Sequence, residues 1–500
     1  MEHYAIHPNP LVRFLKKEPR DFTKADLVRF IVENGIEMVN FRYVAADGRL
    51  KTLNFIINDL DYLDTILTYG ERVDGSSLFP YIQAGASDLY VVPRYRTAFV
   101  NPFAEIPTID ILCGYYDKNG HRLESAPDQT LHRAHEAFKQ LTGMEFHAMG
   151  ELEYYVVSEK EQLYITPDQK GYHESVPFCK WADMRREAMK AIASCGGKIK
   201  YGHSEVGNFT VGDLMYEQNE IEFLPVDVEE AADQLLIAKW ILRTIAYEYG
   251  VQLTFAPKIT VGKAGSGLHI HTKVVRKGEN MYLRDGVLTD TAKTVIAGIL
   301  DAAASLTAFG NTNPTSYLRL VPHQEAPTNI CWGDRNRSVL VRVPLGWTVG
   351  ASEMVKDANP LETERIPECN DKQTVEFRCP DGSADIYMLL AGLVVAARHG
   401  FEMADAIKYA DEHYVGVNIF EDANKAVADR LQHLPDSCAA SADALEKQRA
   451  LFEDKGVFSP GLIDGWIKML RAHQDGKLRE ELKRSPDMVK ALVDKFINVG

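Results

Sequence analysis

The period of the apolar positions changes repeatedly along the first sixty residues. Leu27, Phe30 and Ile31 recur at helical spacing behind Thr23, where Asp26 three positions on makes a capping box, and Gly35 closes the run. From Ile36 the pattern turns to alternation through Met38, Val39, Phe41 and Tyr43. Ala46-Asp47-Gly48 then supplies a turn, and Leu50, Leu53, Phe55 and Ile57 form the return strand. A helix followed by a hairpin predicts a small α+β unit. Prolines between Pro93 and Pro107, then Asn119-Gly120 and Pro127, mark breaks, so the boundary is expected near residue 120, within about 15 residues. Beyond it, Gln129 to Thr142 has a helical pattern, and Ala231 to Tyr249 is the most convincing long helix. Met149 to Ser158, Thr254 to Ile259 and Leu268 to Val275 read as strands, and the last hundred residues, rich in Ala, Lys, Asp and Leu, read mostly as helices.

Five hundred residues with 45% hydrophobic and 25% charged side chains describe a soluble globular chain of about two domains. A formal charge of -15 provides no basic excess to displace phosphate counterions, so neither a nucleic acid nor an anionic membrane is expected as a partner. The seven cysteines are odd in number and lack CxxC spacing, which fits a reduced, cytoplasmic compartment. The apolar run from Tyr387 to Ala397 closes at Arg398 and is too short to span a bilayer.

Charge then changes the reading of the strands. Glu151 and Glu153, Glu220 and Glu222, His269 and His271, and Glu376 and Arg378 each stand two residues apart, so in a strand each pair points to one face. A single Glu-x-Glu is ordinarily a solvated strand face. Four such pairs predict a face too charged to bury without ions, with the oxygen-rich, imidazole-containing ligands of a Mg²⁺ or Mn²⁺ site. Gly262-Lys263-Ala264-Gly265-Ser266-Gly267 matches neither a Walker loop nor a dinucleotide fingerprint, and it gains interest only because His269 and His271 follow it. Arg319, Arg335, Arg337, Arg342 and Arg378 fall within sixty residues, and such forks suit anionic carboxylates and phosphates.

Ordered blocks carry a resemblance to a known family. Asp74-Gly75-Ser76-Ser77, Gly150-Glu151-Leu152-Glu153, Gln218-Asn219-Glu220, Gly265 to His271, Asn313-Pro314-Thr315 with Arg319, Glu325-Ala326-Pro327, Arg335-Asn336-Arg337-Ser338 and Glu376-Phe377-Arg378 occur in the order seen in glutamine synthetases. The chain resembles the bacterial type I enzymes over roughly residues 20 to 400. That resemblance implies an α+β fold with a small N-terminal β-grasp-like domain (1–120) and a large catalytic domain (121–500) built on a curved antiparallel sheet flanked by helices. It implies ATP-dependent ligation of ammonia to the side-chain carboxylate of glutamate through a γ-glutamyl phosphate.

The resemblance also implies roles by position. Glu153, Glu205 and Glu220 would hold one divalent cation, and Glu151, His269 and Glu376 a second. Arg337 and Arg342 would stabilise the phosphates of ATP, with His271 contacting the transferred phosphate, and Arg319, Arg378 and Gly265 would bind the amino acid. Asp74 would deprotonate ammonium, helped by Ser77, Tyr172 and Glu205, while Glu325 would close over the intermediate. Active sites shared between subunits are implied, in a homo-oligomer of two hexameric rings.

Three positions depart from the family pattern. The stretch from Val206 to Asn219 is longer than usual between Glu205 and Glu220. Ala264 replaces a common asparagine near the amino-acid site, which keeps open a γ-glutamyl-polyamine ligase or another amine ligase; a non-catalytic structural member would be favoured by loss of metal ligands, and none is lost. Phe420 stands where many type I enzymes carry a tyrosine that is adenylylated, and without a hydroxyl it offers no such control.

Overall fold

The computed structural model describes all residues except 1–3, 80, 81, 83–86, 322–325, 347–350, 365–370 and 485. The N-terminal helix Lys24–Glu33 begins with the expected capping box: Thr23 N–H donates to Asp26 and Asp26 N–H to the Thr23 hydroxyl. The alternating segments become strands Met38–Val44 and Leu50–Ile56, paired antiparallel around the Asp47-Gly48 turn. Thr108–Tyr116 adds in parallel to Met38–Val44, and Asp88–Pro93 and Glu71–Asp74 extend the sheet to an edge that carries Asp74. Leu27, Phe30, Phe41, Leu63, Leu67, Ile109 and Ile111 fill the core of this small domain.

The second sheet is larger and almost wholly antiparallel. Its strand order is Trp332–Asp334, Val341–Val343, Val375–Phe377, Leu268–Arg276, Glu145–Glu159, Leu214–Phe223 and Ile199–Val211, with only the first pair parallel. Along its central strands the two faces separate cleanly. Leu152, Tyr154, Ile221, Phe223, Leu268, Ile270, Val375 and Phe377 are fully buried. They pack beneath helices Val228–Glu248, Pro127–Thr142, Asp290–Gly310 and Ile386–Glu402. Burying each such side chain stabilises the fold by about 1.5–3 kcal/mol. The residues between them are the acids, histidines and arginine singled out above. The register of the sheet is therefore fixed by its apolar face, and a slip of one residue would put charge into the core.

The small domain is tied to these helices by a buried ion pair. Arg94 donates to both Asp233 oxygens at 2.8 and 3.1 Å, and the Tyr387 hydroxyl donates to the same carboxylate at 2.6 Å. Arg42 lies over the Trp240 ring, 4.4 Å from its centroid, across the same junction.

One expectation needs correction. The strand expected at Thr254–Ile259 is confined to Gln252–Thr254. Pro257 has no N–H to give a ladder, and its carbonyl instead accepts Ser266 N–H at 3.0 Å, bending the chain beneath the glycine-rich loop. Among the described residues one helix, Asp290–Gly310, is long and apolar enough by itself to cross a membrane, and 78% of its apolar window is buried in the protein interior. Cys113, Cys179, Cys195, Cys331, Cys379 and Cys438 are buried and unpaired, while Cys369 lies outside the described residues.

Candidate active site

Strand register alone brings most of the predicted ligands together. Glu153 lies opposite Glu220, Glu151 lies opposite Glu222 on one side and His269 on the other, and His271 lies opposite Glu376. Directly opposed side chains start about 5 Å apart at Cβ, so these groups have little choice but to meet. The ligand atoms of Glu151, His269 and Glu376 lie within 4.8 Å of one another, as do those of His203, Glu205 and Glu220. His269 Nδ1 is 2.9 Å from Glu151 Oε2 and 3.6 Å from Glu376 Oε1, and its Nε2 is 3.9 Å from Glu153 Oε1.

Cations balance one part of this face. Glu376 accepts Arg342 Nη1–H at 2.9 Å and Arg378 Nε–H at 3.1 Å. Its burial would raise its pKa, but Arg378 and the neighbouring histidines outweigh that and hold it below the ordinary carboxylate value. Glu151 likewise sits well below the ordinary range, because His271 and His269 outweigh its burial. Glu220 goes the other way. Burial and the charges of Glu151, Glu153, Glu205 and Glu222 push its pKa well above the usual value. A buried carboxylate among carboxylates, with no lysine or arginine bonded to it among the described residues, is what a divalent cation would satisfy, so the donor set fits the group.

The acids open into a cavity of about 1040 Å³ whose other wall is basic. Arg319, Arg335, Arg337, Arg342 and Arg378 all line it, together with Gly265 and Tyr172. Arg342 Nε is buried and has no hydrogen-bond partner, so this guanidinium keeps an unused donor. The glycine-rich loop is glycine for steric reasons: a Cβ at Gly265 would stand 2.4 Å from the Pro257 carbonyl oxygen, and one at Gly267 would stand 2.5 Å from Arg319 Nη2 and 2.8 Å from His269 Nε2. Gly267 N–H and the Gln218 amide donate to Glu153 Oε2 at 2.7 and 3.1 Å, aiming that carboxylate into the cavity.

Other predicted residues lie apart. Asp74 and Ser77 are exposed on the small domain and do not line this cavity. The Ser76 and Ser77 hydroxyls each donate to Asp74 at 2.7 Å, and hydrogen bonds from Ser77, Ser76 and Ser87 hold its carboxyl far below the ordinary value. His271 is buried behind Glu151, between that carboxylate and the Thr374 hydroxyl, each at 2.8 Å, and it does not line the cavity. Glu325 lies outside the described residues. His203 and Tyr201, which share the alternation of Glu205, were not assigned from the sequence, nor were Lys258 and Asn418, which also line the cavity. Phe420 sits at the same rim.

With this geometry in place, a β-grasp-like domain joined to a curved sheet that carries an acidic, arginine-walled cavity defines the class, and the comparisons give the family. Residues 35–118 match the family described as "Glutamine synthetase, beta-Grasp domain", and residues 124–484 match "Glutamine synthetase, catalytic domain". The chain belongs to the glutamine synthetase family. It is similar to the glutamine synthetase of Methanococcus maripaludis, 27% identical over 460 residues that cover 90% of this chain and 95% of that one. It is 32% identical to that of Thermococcus kodakarensis over 401 residues, 79% of this chain and 81% of the other. Among solved structures it resembles a Plasmodium falciparum glutamine synthetase, with a TM-score of 0.74, 20% identity and 92% and 97% of the two chains covered. It resembles a GmaS/ADP complex nearly as well, with a TM-score of 0.73, 19% identity and 92% and 99% covered.

Proposed function

We propose that this protein is an ATP-dependent glutamate–ammonia ligase that makes glutamine through a γ-glutamyl phosphate. The observation that carries the reading is the meeting, in one cavity, of an excess of buried carboxylates with a wall of arginines. Glu153, Glu205 and Glu220 would hold one divalent cation, and Glu151, His269 and Glu376 the other. When bound there, divalent cations would supply the positive charge that lets the phosphates of ATP approach the carboxylate that receives the phosphoryl group. Around them the chain's own side chains do the positioning. Arg319 and Arg378, with the Gly265 backbone, bind the carboxylates of the amino acid, and Arg337 and Arg342 meet the phosphates with paired donors. His271 would act on the transferred phosphate, and its contacts here favour doing so through Glu151, whose orientation it fixes.

Asp74 serves as the ammonium site and base, assisted by Ser77, Tyr172 and Glu205. Because Asp74 is exposed on the edge of the small domain, the reading requires a second copy of the chain to bring it to a cavity, so a homo-oligomer with shared sites, in two hexameric rings, is part of the proposal. Glu325 would close over the intermediate and exclude water. The division of the chain near residue 120 belongs to the same reading and is supported by two cores that fall mostly on either side of it, with Val44, Phe99 and Leu112 of the small domain joining the larger core. A reduced cytoplasmic setting is supported by the buried unpaired thiols.

Ala264 favours one alternative acceptor. Its backbone is pinned between Gln169 and the Tyr155 hydroxyl at the cavity wall, and its methyl group leaves space where a larger side chain would stand. A larger amine would use that space. Phosphate release from ATP and glutamate across a panel of amines decides: preference for ammonium supports glutamine synthesis, preference for putrescine or another larger amine overturns it, and absence of glutamate-dependent release overturns the ligase reading altogether.

A further inference from the structure

An imidazole that none of the assignments above uses points at the same ions. His203 precedes Glu205 by two residues on the Ile199–Val211 strand, so both side chains take the cavity side. His203 Nδ1 lies 3.0 Å from the Ser204 carbonyl oxygen. A carbonyl only accepts, so Nδ1 carries the proton and Nε2 keeps its lone pair. That Nε2 is 3.8 Å from Glu220 Oε1. The ring is also held in place: the His173 ring centroid is 4.3 Å away, with Tyr172 at 5.6 Å and Tyr201 at 5.8 Å, and His173 N–H donates to the same Ser204 carbonyl.

A second cluster fails on the same chemistry. His135, Asp227 and Glu229 also gather within ligating distance, and none of them lines the cavity. There Phe146 N–H donates to His135 Nε2 at 3.2 Å, so Nδ1 must carry the proton, and it faces Asp227 and Glu229 at 3.7 and 3.6 Å. It presents a hydrogen to those acids and no lone pair to a cation.

We propose that His203 Nε2 is a direct ligand of the divalent ion held by Glu205 and Glu220, and that this nitrogen makes the site favour first-row transition ions such as Mn²⁺ over Mg²⁺. Imidazole suits the former, whereas Mg²⁺ prefers oxygen and water. The inference rests on the metal face of the ligase reading. The test is pulsed EPR on the full chain loaded with MnCl₂ and no nucleotide, where a bound nitrogen gives a ¹⁴N coupling. Because His269 would supply its own coupling at the other ion, the informative chain is His269→Gln: its residual coupling persists, and the added substitution His203→Gln removes it. In parallel, His203→Gln weakens Mn²⁺ binding at this site by about 10- to 100-fold and Mg²⁺ binding by less. His203→Asp restores affinity without the coupling, separating ligation from folding. Manganese bound to the His269→Gln chain without nitrogen coupling, or a coupling that survives the double substitution, overturns this inference alone. A parent chain that binds no Mn²⁺ overturns the metal face with it.

Discussion

The two acidic groups on the cavity floor come from the same sheet yet differ in how their charge is met. Around Glu151 and Glu376 the chain supplies the guanidiniums of Arg342 and Arg378 and the rings of His269 and His271, and both carboxyls are held below the ordinary value. Around Glu220 it supplies more acids, and that carboxyl is pushed up. The first group is preassembled, with hydrogen bonds that fix its geometry before any ligand arrives. The second is an unbalanced site whose stability and shape depend on what binds there. A wholly neutralised face would need no ion and a wholly unbalanced one would strain the fold, so the division lets one sheet be both stable and receptive.

The contrast can be broken most forcefully at Glu376. Replacing it, as Glu376→Ala, strands the buried Arg378 guanidinium and the partly buried Arg342, and the expected loss is about 3–5 kcal/mol of stability by chemical denaturation, together with loss of glutamate-dependent phosphate release. An unchanged denaturation midpoint would show that Arg342 and Arg378 do not depend on it. At Asp74, a carboxylate outside both groups, Asp74→Asn is expected to slow ammonia-dependent turnover by roughly 10²- to 10⁴-fold while ATP binding stays intact. Equal turnover with ammonium would remove Asp74 from the chemistry.

The two groups also predict opposite pH responses in metal-free protein. Glu220 has a raised folded pKa, so its contribution to stability is present below about 4.5, the ordinary glutamate value, and is lost as pH rises through the folded value. Glu151 and Glu376 have lowered pKa values, so their contribution is present above 4.5 and is lost as pH falls. Thermal melts across pH should therefore show Glu220→Gln raising the melting temperature at neutral pH without metal, and added Mn²⁺ erasing that advantage. A lower melting temperature for Glu220→Gln in metal-free buffer would contradict the contrast. The smallest effect is expected at the exposed serine cradle: Ser77→Ala should shift the Asp74 carboxyl upward toward the ordinary aspartate value, read by NMR titration of its side-chain carbon.

Much of this face was legible from the sequence, because a strand whose alternate residues are Leu152, Tyr154 and Glu151, Glu153 can be buried in only one way. The same alternation forecast the sides taken by Glu220, His269 and Glu376, and the capping box at Thr23 forecast a helix start. What the sequence did not disclose was pairing across the sheet. Nothing local says that Glu153 faces Glu220, since 66 intervening residues fold away before the strands meet. His203 had a usable signal, two residues before Glu205, but it lies just before an irregular register between Ser204 and Asn208 that obscures strand alternation. The strand misread at Thr254–Ile259 failed because Pro257 was given less weight than its apolar neighbours. Asp74 was legible as a family position, but its place outside the cavity is a property of the folded chain.

Equilibrium Mn²⁺ binding to the parent, Glu220→Gln and Glu376→Gln chains tests the central claim most directly. Two ions per parent chain are predicted, with one lost or greatly weakened in each variant. Binding that neither substitution alters, or no binding to the parent, would contradict the claim that these carboxylates gather cations in the cavity.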